Sequence, residues 1–364
     1  MIFIVPKGET TMINIKGFYI LIISCFLLFL AACSQNTDRV VENGSSDSIS
    51  ENEPIDEQDT ETEVEEPIVE ELVLPSQELQ KGDKGKDILA LQKALTKIGY
   101  EITSSEIYDQ ELVWAITDFQ LQSEELLASG IYDKETSSAL KSLIEQELTI
   151  TPGEGLKFKQ DEFLDDDTVV IGNPYDVLAL VNKQHALPKD YVPSDLIFPD
   201  VRFPFVEELP KKQMREVAAN ALEKLFADAE QESLDLYAQS GYRSYERQDV
   251  LFASYVSNHG EEEANIFSAK PGESEHQSGL TMDVTSPHVN NTLVVEFGET
   301  KEGIWLEEHA AEYGFIIRYP KGKEDVTGYQ YEPWHLRYVG VKAATDMMER
   351  GITLEEYLDE ILAN

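Results

Sequence analysis

Apolar residues recur at helical spacing in the region that begins near residue 79. Ile88, Leu91 and Leu95 fall on one face of a predicted helix, and Gly99 marks its end. Two more helices are predicted over "ELVWAITDFQLQ" and "TSSALKSLI", and the triplet "IYD" occurs shortly before each of them. This near-repeat predicts a small all-α bundle of three helices over residues 79–146.

From about residue 170 the chain alternates between helical and extended patterns. "MREVAANALEKLFADAEQE" is amphipathic, with Val217, Ala221 and Leu225 at helical offsets. "LDLYAQSGYRS" predicts a short strand, "YERQDVLFASYVSNHG" predicts a helix, and "GLTMDVTS" alternates as a strand does. We predict an α+β domain over residues 170–345 with a small antiparallel sheet, followed by a peripheral C-terminal helical segment over 346–364.

An apolar run from Phe18 to Leu30 follows a lysine near the N-terminus and leads into "LAAC". A positive start, an apolar centre and small residues are typical of an export signal, and the segment ending at Cys33 resembles the bacterial lipobox. We expect residues 1–32 to be a lipoprotein signal peptide and Cys33 to carry the lipid that anchors the chain outside the cytoplasm, at the cell membrane. The alternative is an uncleaved transmembrane anchor, for which the run is short.

Acidic residues dominate the composition, with 70 Asp and Glu against 29 Lys and Arg and a formal net charge of -41. Such a chain repels phosphate backbones, so nucleic acid is excluded as a partner. Residues 34–75 are acidic and poor in aromatics, which predicts a disordered tether that starts at the lipidated cysteine and spans residues 33–78. A second, looser acidic linker is predicted over residues 147–169.

The predicted bundle resembles the common peptidoglycan-binding module. Glu106 departs from that module, which usually has glycine at this place, and the alternative reading of its apolar residues is simply a core. The resemblance implies cell-wall peptidoglycan as a partner. The positions shared with the module are Gly82, Gly85, Leu91, Gln92, Gly99, Tyr100, Phe119, Gln120, Gly130 and Thr136.

The stretch "SEHQSGLTMDV" places His276 and Asp283 seven positions apart. Alternation puts Met282 and Val284 on the core face of the predicted strand and Asp283 on the other. His276 precedes the strand, so it comes alongside Asp283 only if the chain bends at residues 278–279. A carboxylate in an apolar strand requires a compensating partner, and a cation would serve.

A second candidate stretch is "YEPWHLRYV", which contains Glu332 and His335. Residues three apart face opposite ways on a regular strand. Pro333 cannot join a ladder, however, and indicates a bulge that turns both side chains inward. His335 would then complete a set of two histidines and one aspartate.

Three protein ligands with a fourth position open to water are the arrangement of a catalytic Zn(II), which lowers the pKa of that water. Glu332 would take the proton from the water and return it to a leaving amine, so the pattern indicates peptide hydrolysis. Four other histidines have no such surroundings and are interpreted as surface or capping residues: His185, His259, His288 and His309.

Together these motifs resemble the His-x6-Asp and Glu-x-x-His signatures of the VanY-type zinc D-alanyl-D-alanine carboxypeptidases, in the group that includes lysostaphin-like and hedgehog-like folds. "LVNKQHALPKDYVPSDL", "SGYRSYERQ" and "WLEEHAAEYGFIIRYP" are also similar to that family, and the resemblance covers nearly all of residues 175–345. It implies one Zn(II) per catalytic domain, held by His276, Asp283 and His335, with Glu332 as the general base.

The same resemblance gives substrate-binding roles to Arg243, Gln248 and Ser274. A guanidinium and a hydroxyl suit either the C-terminal carboxylate of a peptide or the oxyanion formed during attack. A surface ion pair is the alternative for Arg243. Trp334 and Tyr331 flank the motif and are interpreted as pocket wall.

Three functional classes are therefore open. The first is a zinc D,D-carboxypeptidase that removes the C-terminal D-Ala from peptidoglycan stem peptides. The second keeps the same metal centre in an L,D-carboxypeptidase or a peptidoglycan endopeptidase. The third is a non-catalytic wall-binding lipoprotein, and the presence of Glu332 with a whole ligand set argues against it.

Overall fold

The computed structural model describes residues 72–157, 162–163 and 168–363. The predicted signal peptide, Cys33 and most of the predicted acidic tether lie outside these residues. Within them, no helix combines the length and the apolar character needed to cross a bilayer. The described residues all belong to one compact unit.

The N-terminal part of this unit is a bundle of helices around an apolar core. Each "IYD" triplet ends in the residue that caps the next helix. Asp109 Oδ1 accepts a hydrogen bond from the Leu112 amide at 3.0 Å, and Asp133 Oδ1 accepts one from the Thr136 amide at 2.8 Å. The predicted all-helical character of this region is confirmed. The helices are α1 (Lys86–Lys97), α2 (Gln110–Leu121) and α3 (Lys134–Glu145).

The rest of the described chain mixes short strands with helices. The strands are β1 (Glu162–Phe163), β2 (Val169–Val170), β3 (His185–Ala186), β4 (Leu196–Ile197), β5 (Met214–Arg215), β6 (Tyr237–Ser240), β7 (Thr281–Thr285), β8 (Phe315–Tyr319) and β9 (Glu332–Tyr338). The helices are α4 (Glu216–Gln231), α5 (Tyr245–His259), α6 (Glu261–Phe267), α7 (Lys301–His309), α8 (Glu324–Thr327), α9 (Val341–Arg350) and α10 (Leu354–Ala363).

The main sheet has the strand order β6-β7-β9-β8, and every neighbouring pair is antiparallel. Its core face carries Met282, Val284 and Leu336, which are fully buried in one cluster with Leu222 and Leu225 of α4. The predicted small antiparallel sheet is confirmed. Because side chains alternate along a strand, the opposite face of β7 and β9 is left for polar residues.

The C-terminal segment is helical, as predicted, but the prediction that it is peripheral is wrong. Met347 of α9 and Leu354, Tyr357 and Leu358 of α10 belong to the same buried cluster as the main sheet. Three of the four have under 8% of their surface exposed. The apolar face of this helix pair therefore completes the core.

The start of the predicted second linker is also held in place. Asp118 of α2 is fully buried and accepts hydrogen bonds from the backbone amides of Gly153 at 2.9 Å, Gly155 at 3.0 Å and Leu156 at 2.7 Å. A carboxylate that accepts three amides fixes the chain that donates them. Residues 153–156 are thus fastened to the bundle.

Candidate active site

The turn before β7 brings His276 to Asp283. Residues 275–278 form a single 3-10 turn, and Gly279 follows in the left-handed region with φ 70°. A Cβ atom at Gly279 would lie 2.8 Å from Cγ of Arg215, so this bend requires glycine. The chain bends where the sequence predicts, and His276 Nε2 lies 3.4 Å from Asp283 Oδ2.

An irregularity in β9 brings His335 and Glu332 to the same place. Ile317 of β8 pairs with Leu336 while Tyr319 pairs with Glu332, so two residues of β8 span four of β9. This is the predicted bulge at Pro333. His335 Nδ1 consequently lies 3.2 Å from Asp283 Oδ1 and 3.6 Å from Glu332 Oε2.

The three predicted ligands offer donor atoms that all lie within 4.8 Å of one another, and all three side chains are buried. His276 Nδ1 donates to the Gly241 carbonyl at 2.8 Å, which leaves Nε2 free to face the cluster. His335 Nε2 contacts Glu275 Oε2 at 3.3 Å, which leaves Nδ1 facing the cluster of predicted ligands. Asp283 Oδ1 is buried without a hydrogen bond of good geometry. Histidines held through their outer nitrogens beside an unsatisfied carboxylate suit a zinc ion.

Burial shifts the protonation of these groups. Burial and the nearby Arg243 guanidinium lower the pKa of His276 to about 3, so its imidazole is neutral, as a ligand must be. Burial also disfavours a charged His335, but the neighbouring Asp283 and Glu275 carboxylates outweigh this and raise its pKa to about 9, so the binding of a metal ion at Nδ1 would displace a proton. Burial raises the pKa of Glu332 to about 7, close to the value that suits a general base in neutral solution.

Arg243 lies beside the cluster and is held there by the chain around it. Its amide donates to the His276 carbonyl at 3.1 Å, and its Nη1 donates to Gln248 Oε1 at 2.8 Å. Gln248 is itself buried and donates from Nε2 to the Ala269 carbonyl at 2.6 Å. Burial lowers the pKa of the Arg243 guanidinium, and the nearby Asp283 carboxylate opposes this shift.

One pocket of about 170 Å³ is lined by His276, Asp283, His335, Glu332 and Arg243, whereas Gln248 lies behind Arg243 and does not line it. Ser274 and Trp334 line it, as expected from the sequence. Tyr331 does not: it lines a separate cavity with Pro333, and its hydroxyl lies against Gly298. Adjacent residues of an extended chain point to opposite sides, so Tyr331 points away from the pocket that Glu332 enters, and the expectation that Tyr331 forms pocket wall is wrong. Tyr255, Tyr319 and Tyr329 form wall instead.

Comparison with known proteins agrees with this geometry. The family model "VanY: D-alanyl-D-alanine carboxypeptidase" matches residues 211–341, and the model "Putative peptidoglycan binding domain" matches residues 84–140. The chain is 53% identical to "Putative carboxypeptidase YodJ" of Bacillus subtilis (strain 168), over 54% of this chain and 72% of that protein. It is 30% identical to a D-alanyl-D-alanine carboxypeptidase of Enterococcus faecium, over 74% of this chain and 77% of that protein.

The chain belongs to the VanY family of D-alanyl-D-alanine carboxypeptidases. Among solved structures, this VanY-family chain is similar to the LdcB LD-carboxypeptidase, a structure described as revealing the molecular basis of peptidoglycan recognition. The two are 51% identical with a TM-score of 0.54, over 57% of this chain and 96% of that one.

One part of the VanY-type site was missed by the sequence reasoning. Glu275 is buried between Arg318 Nε and Arg337 Nη1, each 2.8 Å from its Oε1. Burial opposes its ionisation, but the two guanidiniums and His335 hold the pKa of Glu275 well below its usual range. An arginine within each of the apolar runs "FIIRYP" and "HLRYV" was the available signal, because buried charges require partners.

Proposed function

We propose that the chain is a zinc-dependent carboxypeptidase that removes the C-terminal D-alanine from peptidoglycan stem peptides. The observation that carries this proposal is that His276, Asp283, His335, Glu332 and Arg243 line one pocket. A metal site, a candidate base and an anion-binding cation in a shared cavity are the parts that a metallocarboxypeptidase needs.

His276, Asp283 and His335 are the residues that would hold one zinc ion. When bound, zinc would polarise the scissile carbonyl and lower the pKa of a water molecule. The Gly241 carbonyl and Glu275 hold the two imidazoles through their outer nitrogens. This support fixes the tautomer of each histidine and the direction of its free lone pair.

Glu332 is the proposed general base. Its carboxylate lies 3.6 Å from His335 Nδ1 and is mostly shielded from solvent. A base with a pKa of about 7 can accept the proton of the attacking water and release it to the leaving amine within one cycle at neutral pH.

Arg243 is proposed to bind the substrate's terminal carboxylate, with Gln248 holding the guanidinium in place. Ser274 lines the same pocket, where its hydroxyl can contribute a further hydrogen bond, and Trp334 forms an apolar wall. A guanidinium pairs with a carboxylate through two parallel hydrogen bonds, which also fixes the orientation of the peptide. This arrangement selects peptides with a free C-terminus.

D-Alanine occupies two kinds of terminal position in stem peptides. A D,D-carboxypeptidase cleaves between two D-residues at the end of a pentapeptide, and the family model and the Enterococcus faecium relative support this reaction. An L,D-carboxypeptidase cleaves after an L-residue at the end of a tetrapeptide. The 51% identity with the LdcB LD-carboxypeptidase, over 96% of that chain, supports this second candidate.

Delivery to the wall is proposed to depend on the N-terminal half. Cys33 would carry the lipid anchor at the cell membrane, residues 34–75 would extend from it, and the bundle would bind peptidoglycan. The match of residues 84–140 to a peptidoglycan-binding model supports the last of these roles. We also propose that the chain consists, in order, of a signal peptide, a tether, the bundle, the peptidase domain and a C-terminal helix.

The deciding experiment is incubation of the purified zinc-loaded protein with a stem pentapeptide and, separately, a tetrapeptide, with products weighed by mass spectrometry. Loss of one alanine from the pentapeptide supports D,D cleavage, and loss from the tetrapeptide supports L,D cleavage. Cleavage within the stem, or equal cleavage of a peptide amidated at its C-terminus, would indicate an endopeptidase. Intact peptides after incubation with zinc-loaded protein would refute a peptidase altogether.

A further inference from the structure

The loop between α2 and α3 reaches out of the bundle and packs into the peptidase. Ile131 belongs to the buried cluster of the main sheet and has 8% of its surface exposed. A Cβ atom added at Gly340, which follows β9, would lie 3.1 Å from Ile131 Cδ1. The loop therefore closes part of the peptidase core with a residue from the wall-binding part of the chain.

A chain of hydrogen bonds runs from this loop toward the proposed metal site. The Val177 amide donates to the Ser129 carbonyl at 3.0 Å, and the Val177 carbonyl accepts from Arg337 Nη2 at 3.0 Å. Arg337 Nη1 donates to Glu275, whose other oxygen contacts His335 Nε2. Four contacts thus join the bundle to a proposed zinc ligand, through residues of which Val177 and Arg337 are fully buried.

A second connection reaches the other histidine. Arg215 is fully buried and donates from Nη2 to the Ala128 carbonyl of the loop. Its amide donates to the Gly279 carbonyl at 2.8 Å, and its side chain fills the space that glycine leaves there. Gly279 ends the turn that carries His276, so the loop supports both histidines by separate routes.

The segment that receives the loop is also fixed from α2. Asn173 Nδ2 donates to Thr117 Oγ1 at 2.9 Å, and both residues are buried. Asn173 Oδ1 accepts from the Tyr175 amide at 3.2 Å, which shapes the turn leading to Val177. Thr117 is therefore a residue of the bundle that acts on the peptidase through a single side-chain hydrogen bond.

We propose that the loop at residues 128–131, together with Thr117, is a structural part of the peptidase site that positions His276 and His335 for the metal. The bundle then has two roles, since it supports the catalytic centre as well as binding the wall. The inference rests on the proposed function in taking the two histidines as zinc ligands. It also predicts that a chain beginning near residue 170 lacks part of its active-site support.

The test compares bundle variants in the full chain. Thr117→Val removes the hydroxyl that holds Asn173, Thr117→Ser retains it, and Ile131→Ala trims the contact with the core. Tyr100→Phe is the matched control, because the Tyr100 hydroxyl donates at 2.8 Å to Asp118 at a buried site within the bundle. The zinc Kd is measured by chelator competition, and amide hydrogen exchange of residues 275–283 is followed in the metal-free protein.

We expect Thr117→Val and Ile131→Ala each to raise the zinc Kd about tenfold. This is the lower end of the roughly 10–100-fold loss of metal affinity that follows when residues supporting the ligands are changed. Both should also speed exchange in residues 275–283, while Thr117→Ser and Tyr100→Phe match the native protein. Unchanged Kd and exchange in the first two variants, or equal changes in Tyr100→Phe, would overturn the inference. If the native protein bound no zinc, the proposed function would fail and the exchange rates would still decide this inference.

Discussion

Replacing Glu275 with glutamine removes a charge that three buried basic side chains share. Its carboxylate lies 2.8 Å from Arg318 Nε, 2.8 Å from Arg337 Nη1 and 3.3 Å from His335 Nε2. Glutamine keeps the size of the side chain but supplies no countercharge. Arg318 retains Glu355, at 2.6 Å and 2.9 Å, whereas Arg337 is left with backbone carbonyls.

The expected loss of unfolding free energy follows from the fact that Arg318 keeps a carboxylate partner and Arg337 does not. Breaking a buried ion pair by neutralising one partner costs about 3–5 kcal/mol, because the remaining charge stays in a place that water cannot reach. Glu275→Gln should fall within this range, since one of its two guanidiniums loses its carboxylate. With an m-value of about 3 kcal/mol per molar urea, the unfolding midpoint should fall by roughly 1–1.7 M.

The assay is urea unfolding of the metal-free protein, followed by tryptophan fluorescence at several pH values. Because the folded pKa of Glu275 lies below its ordinary value of 4.5, its contribution is complete above that pH. It is lost as the pH falls through the folded pKa. The part of the difference that comes from the ionised Glu275 should therefore shrink as the solution becomes more acidic than about pH 4.5. A second part comes from His335, whose pKa Glu275 helps to raise from 6.5 to about 9, and this part should be complete below pH 6.5 and decline as the pH rises toward 9.

An exposed ion pair provides the control. Glu145 contacts Lys141 at 3.7 Å with both side chains more than 60% exposed, so Glu145→Gln should change the unfolding free energy by less than about 1 kcal/mol. A Glu275→Gln/Arg337→Met double variant should recover much of the loss, because it removes the stranded charge. A loss of under about 1 kcal/mol in Glu275→Gln alone would show that the pair is not the buried support described above.

Three further outcomes test the proposed chemistry and delivery. Asp283→Ala should lose zinc, while Glu332→Ala should keep zinc and lower kcat about 10²–10⁴-fold, because a base is not a ligand; equal metal loss, measured by elemental analysis, would contradict these roles. Arg243→Ala should weaken transition-state binding by about 1.5–3 kcal/mol, seen as a lower kcat/KM with zinc content unchanged. Amidating the C-terminus of the peptide should lower the kcat/KM of this variant little further, because the guanidinium that would bind the carboxylate is already absent. Cys33→Ala should move the protein from the membrane fraction to the soluble fraction without changing its peptidase rate, and retention in membranes would argue against the lipid anchor.

The parts of the site that the sequence predicts depend on short-range geometry. His276 and Asp283 are joined by a glycine turn and a strand, and the bulge beside His335 follows from a proline within an apolar run. Each of these features is determined by residues within a few positions of the ligand. Local rules of turns and pleats are therefore enough to propose that the side chains converge.

The parts that the sequence does not predict depend on contacts between distant segments. Glu275 meets arginines that lie 43 and 62 positions further along the chain. The contact of Ile131 with the peptidase core could not be read from its bundle pattern, where it looks like any apolar residue before a helix. Tyr331 was expected in the pocket because it adjoins Glu332 in the sequence. Neighbouring residues of an extended chain face opposite sides, however, and Tyr331 lines a different cavity.

The pairing of Arg318 with Glu355 has a consequence for the order in which the enzyme matures. All three proposed zinc ligands have been synthesised once His335 is complete, but the fully buried Arg318 still lacks the carboxylate of α10. A chain made only as far as His335 thus holds all three proposed ligands, while Arg318 can pair with Glu275 but still lacks its second carboxylate, Glu355. The buried ion pairs behind the proposed ligands are therefore complete only after the synthesis of a helix that contributes no group to the proposed chemistry.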